Sequence, residues 1–134
     1  MKKKSELFNI KGKTALITGA TGLLGIEHAR SLLEIGATVI ITDVDKSNLE
    51  RVQKELLNEY LDSIIKYYLM DVTDEIKIIS VLKLLESENI FIDILINNAS
   101  INPKVEAHDF QNNKSRLEFF PKENWEKELS VGLT

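Results

Sequence analysis

Cysteine is absent from all 134 residues, and with it go disulfide frameworks, thiolate zinc sites and cysteine nucleophiles. Basic charge is short as well. Seventeen Lys and Arg stand against 21 Asp and Glu, leaving a net charge of −4 and a pI near 5.3. A protein that tracks a phosphate backbone presents a basic face, and the one basic cluster here, Lys2 to Lys4, sits at the extreme terminus as a solvated tail. Nucleic acid is therefore excluded as the main partner. No apolar run of signal-peptide character follows those lysines, because Ser5, Glu6, Asn9, Lys11 and Lys13 interrupt it. Nor does any stretch approach the ~20 apolar residues of a membrane span, so no membrane partner and a cytoplasmic location are expected. What is present, 43% hydrophobic and 28% charged residues, is the composition of an ordinary globular chain. Its length suits one domain, which would bury roughly two-thirds of its unfolded surface.

Internal repeats and low-complexity segments are missing too, and their place is taken by a regular alternation of short apolar runs with amphipathic stretches. The runs are Thr14 to Thr18, Thr38 to Thr42, Ile64 to Met70 and Ile90 to Ile96. Near-continuous Ile, Val and Leu suit strands covered on both faces, as buried parallel strands are. Between the first two runs Ile26, Ala29 and Leu33 recur at helical spacing, and Gly36 supplies the stop expected past a helix end. The second connection opens at Asp45, a suitable N-cap, and carries Leu49, Val52 and Leu56 on one face. The third opens at Thr73 with Asp74 and Glu75, acids that suit the positive end of a helix dipole, and continues with Ile78, Leu82 and Leu85. Three crossover helices between four strands predict an α/β fold with a parallel sheet. Residues 97 to 120 show no periodicity. A final helix is expected from near Pro121, with Trp125, Leu129 and Leu133 on one face.

Directly after the first strand stands Thr18-Gly19-Ala20-Thr21-Gly22-Leu23-Leu24-Gly25, at the opening of a helix. Such glycines permit a tight turn, a close approach of backbone to a pyrophosphate and close helix–strand contact, while the helix N-terminus offers amides to the phosphates. An acid about 20 residues on, here Asp43 at the end of the second strand, is what hydrogen-bonds an adenosine ribose. By contrast Gly12-Lys13-Thr14 is no P-loop end. It precedes its strand, and Leu7 stands where the first motif glycine belongs.

With these marks, together with Asp71-Val72 after the third strand and Asn97-Asn98-Ala99-Ser100 after the fourth, the chain resembles the short-chain dehydrogenase/reductase family along its whole length. The resemblance implies a Rossmann-type parallel sheet with crossover helices in the order 3-2-1-4, present in part, and NAD as cofactor. It implies cofactor contacts from Thr18, Gly19, Thr21, Gly22, Leu23, Leu24 and Gly25, from Asp43, from Asp71 and Val72 beside the adenine, and from Asn97, Asn98 and Ala99. The glycine spacing itself is similar to that of the extended branch of nucleotide-sugar epimerases and dehydratases. Asn97-Asn98-Ala99 belongs to the ordinary reductase branch and weighs more, because the extended branch usually has a histidine-containing segment there. Ala99 to Lys104 and Phe120 to Trp125 look most like the subgroup that modifies bacterial surface sugars and flagellin. Gly132 stands where many members carry an asparagine of a proton relay.

The family's catalysis needs a serine and a Tyr-x-x-x-Lys pair in which the lysine lowers the tyrosine pKa. Four residues beyond Tyr60, Tyr67 and Tyr68 stand Ile64, Asp71 and Val72, so no pair exists and no catalytic residue is assigned. Family members run to about twice this length, which implies that residues 1 to 134 are the NAD(P)-binding part, truncated before the catalytic part. The full-length form would take a small-molecule substrate and form a homo-oligomer; the competing reading is a non-catalytic nucleotide-binding remnant. His28 and His108 have no partner at ligand spacing and are read as structural or solvated, with no metal site. Phe119, Phe120 and Trp125 are read as packing for the last helix, with a substrate wall as the alternative. The loop from Ser100 to Phe120, leaving the carboxyl end of the fourth strand, is expected to face substrate and to be the most mobile internal segment.

Overall fold

A computed structural model describes residues 10–101 and 120–132. The chain divides into two compact units, Met1–Asn98 and Ala99–Thr134. In the first, β1 (Thr14–Thr18), α1 (Leu23–Glu34), β2 (Thr38–Asp43), α2 (Lys46–Glu59), β3 (Ile65–Leu69), α3 (Glu75–Ser87) and β4 (Ile94–Ile96) follow in strict alternation. Every strand pair is parallel and the order is β3-β2-β1-β4, as the resemblance implies.

Because side chains alternate across a strand, the central strands β1 and β2 feed two cores. Ile17, Val39, Ile41 and Ile65 point to one face, where α1 contributes Ala29 and Leu33 and α2 contributes Leu49, Val52 and Leu56. Leu16 and Ile40 point to the other, against Met70 and against Val81 and Leu85 of α3. The first unit is thus a sheet between two helix layers. Full burial of each of the three α2 side chains contributes roughly 1.5–3 kcal/mol, which is what holds that otherwise polar helix to the sheet. Asp45 caps it by accepting from the Asn48 amide, and Asp74 caps α3 by accepting from the amides of Ile76 and Lys77. After α1, Gly36 takes φ +86°, the left-handed turn for which glycine is suited.

Three expectations need correction. The fourth run yields only the short strand Ile94–Ile96. Asn89 turns left-handed at φ 55° and the Ile90 amide closes back on the Leu85 carbonyl at 2.9 Å, so these residues finish α3. The ladder starts only after Asp93, whose carboxylate takes the Thr14 amide at 2.9 Å and Lys13 Nζ at 2.7 Å. On α3 the buried pair is Val81 and Leu85, while Ile78 and Leu82 are largely exposed. The helix is apolar at so many positions that spacing alone does not select the stripe; contact with the sheet does. Third, burial on both faces applies to β1 and β2 alone, because β3 and β4 are the sheet's edges and are partly open.

In the second unit the helix α4 (Lys122–Gly132) begins where expected, with the Pro121 carbonyl accepting from the amides of Asn124 and Trp125. None of its described residues is buried, and Trp125 is half exposed. Phe120 is half-buried. Phe119, His108, Leu133 and most of the loop from Ser100 to Phe120 lie outside the described residues, as do the expectations placed on them. Among the described residues no helix is long and apolar enough to cross a membrane.

Candidate functional site

The chain runs from β1 to β2 to β3 on one side, then returns to place β4 on the other side of β1. Open α/β sheets bind ligands at such a switch point, in the crevice outside the carboxyl ends of the strands. The glycine loop sits there. Gly19, at φ +60°, turns the chain out of β1, the Ala20 amide donates to the Thr42 carbonyl at 3.0 Å, and the Gly22 amide donates to Gly19 at 3.3 Å. Gly25 presses α1 onto this turn so closely that a Cβ there would lie 2.6 Å from Ala20 Cα and 2.7 Å from the Gly19 oxygen.

The start of α1 differs from the starts of α2 and α3. Its N-cap is Gly22, which offers no side-chain cap where Asp45 and Asp74 cap the other two, and, as in α2 but not α3, no acid occupies the first turn. The positive end of the helix dipole and its first amides are left without a side-chain partner, the condition under which a helix N-terminus attracts an anion. Gly22 is exposed, and the Leu23 and Leu24 side chains project outward, 85% and 65% exposed. Any ligand contact from these two positions therefore involves their backbone amides or the outer apolar surface.

At the end of β2, half-buried Asp43 faces the loop. Its Oδ2 accepts from the Thr21 amide at 3.1 Å and the Thr21 hydroxyl at 2.6 Å, and its Oδ1 accepts from the Val44 amide at 2.8 Å. One strand further, the Met70 amide donates to the Asp43 carbonyl at 2.9 Å, which brings Asp71 alongside. Thr73 donates its hydroxyl at 2.7 Å and its amide at 2.9 Å to Asp71 Oδ1 and holds this carboxyl below its ordinary range. Val72 packs on the α3-side core. Beyond β4, Asn98 donates its side-chain amide to the carbonyls of Thr18 and Gly19 at 3.0 Å each, and its backbone amide meets Thr18 Oγ1 at 3.0 Å. Asn97, directly before it, is exposed. The structure thus brings together Thr18, Gly19, Thr21, Gly22, Leu23, Leu24, Gly25, Asp43, Asp71, Asn97 and Asn98 at the carboxyl ends of the strands. Ala99 belongs to the second unit.

Thr42 and Ala20 were not singled out by the sequence, although they form the floor of the loop. Thr42 is buried with its hydroxyl on the Ile17 carbonyl at 3.1 Å, and Ala20 is wholly buried beneath Gly25. A small residue between two motif glycines was the available signal for Ala20; Thr42 left none. The tyrosines are employed elsewhere. Tyr67 donates to Glu50 and Tyr68 to Glu88, and burial together with Glu88 pushes the Tyr68 hydroxyl up to about 12. Tyr60 is raised as well, chiefly by burial, whereas a catalytic tyrosine must be lowered. His28 is half-buried on α1, and no group of three His, Asp or Glu among the described residues could hold a metal.

A parallel sheet with this strand order, a glycine turn into an uncapped helix and an acid closing the second strand define a dinucleotide-binding α/β fold. The chain belongs to the short chain dehydrogenase family, whose family model matches residues 13–134. Gluconate 5-dehydrogenase of Gluconobacter oxydans is 30% identical over 128 residues, 96% of this chain and 45% of that enzyme. Among solved structures, a gluconate 5-dehydrogenase from Burkholderia cenocepacia in complex with NADP and tartrate matches with a TM-score of 0.78 and 25% identity, over 98% of this chain and 47% of that one. The 3-ketoacyl-(acyl-carrier-protein) reductase from Brucella melitensis complexed with NADH matches with a TM-score of 0.74 and 28% identity, over 92% of this chain and 45% of that one. The chain therefore spans less than half the length of these relatives.

Proposed function

We propose that residues 1 to 134 act as the NAD(H)-binding domain of a short chain dehydrogenase that moves a hydride between this cofactor and a carbonyl or hydroxyl of a small substrate. The observation that carries the reading is one juxtaposition. The uncapped, acid-free N-terminus of α1 and the carboxylate of Asp43, held by Thr21 directly before the N-cap Gly22, lie side by side on one glycine loop. An anion site and a hydroxyl acceptor so placed match the pyrophosphate and the adenosine ribose of one dinucleotide. The amides of Gly22, Leu23, Leu24 and Gly25 would face the pyrophosphate, with Gly19 and Thr21 turning the loop toward it. Asp43 would take the ribose hydroxyls, Asp71 and Val72 would flank the adenine, and Thr18, Asn97, Asn98 and Ala99 would line the inner end. The bound nicotinamide would supply or accept the hydride.

Similarity to gluconate and ketoacyl enzymes supports the ordinary reductase branch and a substrate with a carbonyl or secondary hydroxyl. Surface-sugar or flagellin modification is the narrower reading, supported by the strings Ala99 to Lys104 and Phe120 to Trp125. A homo-oligomeric, cytoplasmic full-length form is the accompanying expectation. Titration of the purified chain with NADH and NADPH, followed by cofactor fluorescence, tests the reading. A 2′-phosphate facing the Asp43 carboxylate should weaken NADPH by roughly 1–3 kcal/mol after screening, and Asp43→Ala should abolish the preference. Equal affinities would refute the choice of NAD, and failure to bind either would refute the cofactor site.

A further inference from the structure

Asp43 is not a freely rotating surface carboxylate. Three donors grip it from two directions, the Thr21 amide and hydroxyl on Oδ2 and the Val44 amide on Oδ1. The shortest of these, at 2.6 Å, is the Thr21 hydroxyl, which comes from the glycine loop 22 residues away in sequence. All three donors are neutral, so the grip fixes the negative charge without neutralising it. Resting on the cofactor reading above, we infer that Thr21 is a specificity-determining positioning residue: its hydroxyl locks the Asp43 carboxylate in the orientation that accepts a ribose and rejects a 2′-phosphate.

The carboxylate has two alternatives. Released from Thr21, it can turn toward solvent when a phosphate approaches. Increasing the separation of two like charges from ~4 Å to ~7 Å cuts their repulsion by nearly half, since the energy falls as 1/r. Locked, it meets the phosphate at full strength unless a charge-assisted hydrogen bond is broken first. The lock also serves NADH, because a carboxylate already oriented loses less freedom when the ribose hydroxyls arrive. Loss of the Thr21 hydroxyl therefore weakens NADH and relieves NADPH, and both effects move the ratio of affinities in the same direction.

The test is a cofactor-affinity cycle on the whole chain with NADH and NADPH as probes, using wild type, Thr21→Val, Thr21→Ser, Asp43→Ala and the double variant T21V/D43A. Valine keeps the branched shape and the backbone donor of threonine and removes only the hydroxyl; should it not fold, as judged by circular dichroism, Thr21→Ala carries the same deletion. The NADH preference should fall by about 3- to 10-fold in T21V, the range of one ordinary hydrogen bond, because the Thr21 and Val44 amides still hold the carboxylate. Serine should restore it, and T21V should change nothing further in the D43A background. An undiminished preference in T21V beside a lost preference in D43A overturns the inference and leaves the cofactor reading standing. An equal T21V effect in both backgrounds also overturns it, by making Thr21 a direct cofactor contact. Binding of neither cofactor to wild type overturns the reading and the inference with it.

Discussion

Replacement of Gly25 by alanine probes the closest approach in the structure. The added Cβ would lie 2.6 Å from Ala20 Cα, 2.7 Å from the Gly19 oxygen and 2.9 Å from the Ala20 carbonyl carbon. Ordinary carbon contacts begin near 3.5 Å, so the N-terminal turn of α1 must lift by about 0.5–1 Å, and a gap of that width forfeits a quarter to a half of each dispersion contact it opens. None of the three obstructing atoms can rotate away. All are backbone, in a turn fixed by the Ala20 amide on Thr42 and by Asn98 on Thr18 and Gly19. Overpacking of this kind costs about 1–3 kcal/mol and occasionally more, and rigid surroundings place it at the upper end. The better helix propensity of alanine returns about 1 kcal/mol, leaving a net loss of about 2 kcal/mol. Gly22→Ala is the control. Its Cβ would meet only the Gly19 oxygen at 3.5 Å and its φ is −76°, so the loss should stay below about 1 kcal/mol. Urea unfolding followed by far-ultraviolet circular dichroism measures both variants. A G25A midpoint equal to that of G22A, with unchanged slope, would refute the close-packing argument.

Arg30 of α1 forms a two-bond pair with Glu59 and single bonds to Glu27 and Glu55, all of which raise its pKa or join α1 to α2; Arg30→Met should lose about 1–2 kcal/mol of stability at low salt and less at 1 M salt, and a loss independent of salt would argue against the ion-pair account. Asp45, Asp71 and Asp93 are each held below the ordinary 3.8 by hydrogen bonds, to Ser47, Thr73 and Lys13 first. Their folded values lie below the unfolded ones, so the stability they add is complete above pH about 4 and vanishes as pH falls through the depressed values. Thr73→Val should therefore be less stable than wild type at pH 7 and equal to it at strongly acid pH; a pH-independent difference would refute the linkage. The purified chain should bind NADH yet oxidise none with a keto-acid substrate beyond a heat-treated control, because positioned proton transfer contributes ~10²–10⁴-fold and the chain has no Tyr-x-x-x-Lys pair; measurable turnover would reveal a proton donor of another kind.

The sequence displayed those parts of the fold that are local or periodic. β1 and β2 stood out because buried parallel strands carry apolar residues on both faces, and α2 because Leu49, Val52 and Leu56 were its only apolar stripe. The glycine loop and Asp43 could be placed because each lies at the end of an apolar run. Where several patterns compete, the sequence was silent. Seven apolar residues on α3 allow more than one stripe, and Val81 with Leu85 prevails only through contact with the sheet. The early end of the Ile90 to Ile96 run depends on a left-handed asparagine and on an Asp93 carboxylate that closes on Thr14, 79 residues away. The Thr21–Asp43 lock is likewise a contact between two crossover ends, and no spacing rule expresses it.

Long-range contacts of this kind also explain why the site and the fold cannot be separated here. Thr18 ends β1 and starts the loop, and its hydroxyl and carbonyl both receive Asn98 from the far end of β4, 80 residues later. The loop is then fixed from three sides, by Asn98 at Gly19, by Thr42 at Ala20 and by Asp43 at Thr21. Two of these anchors come from the carboxyl end of β2 and the third from just beyond β4, so the loop acquires its shape only after β2 and β4 have both docked on β1. A ligand that needs this loop shape binds the folded sheet and not the unfolded chain, and by mass action it stabilises that sheet by RT ln(1 + [L]/Kd). Cofactor affinity and resistance to denaturant should accordingly rise and fall together across substitutions at Thr18 and Asn98. Substitution at Thr21 should separate the two, because its hydroxyl acts on the orientation of one carboxylate after the sheet has formed.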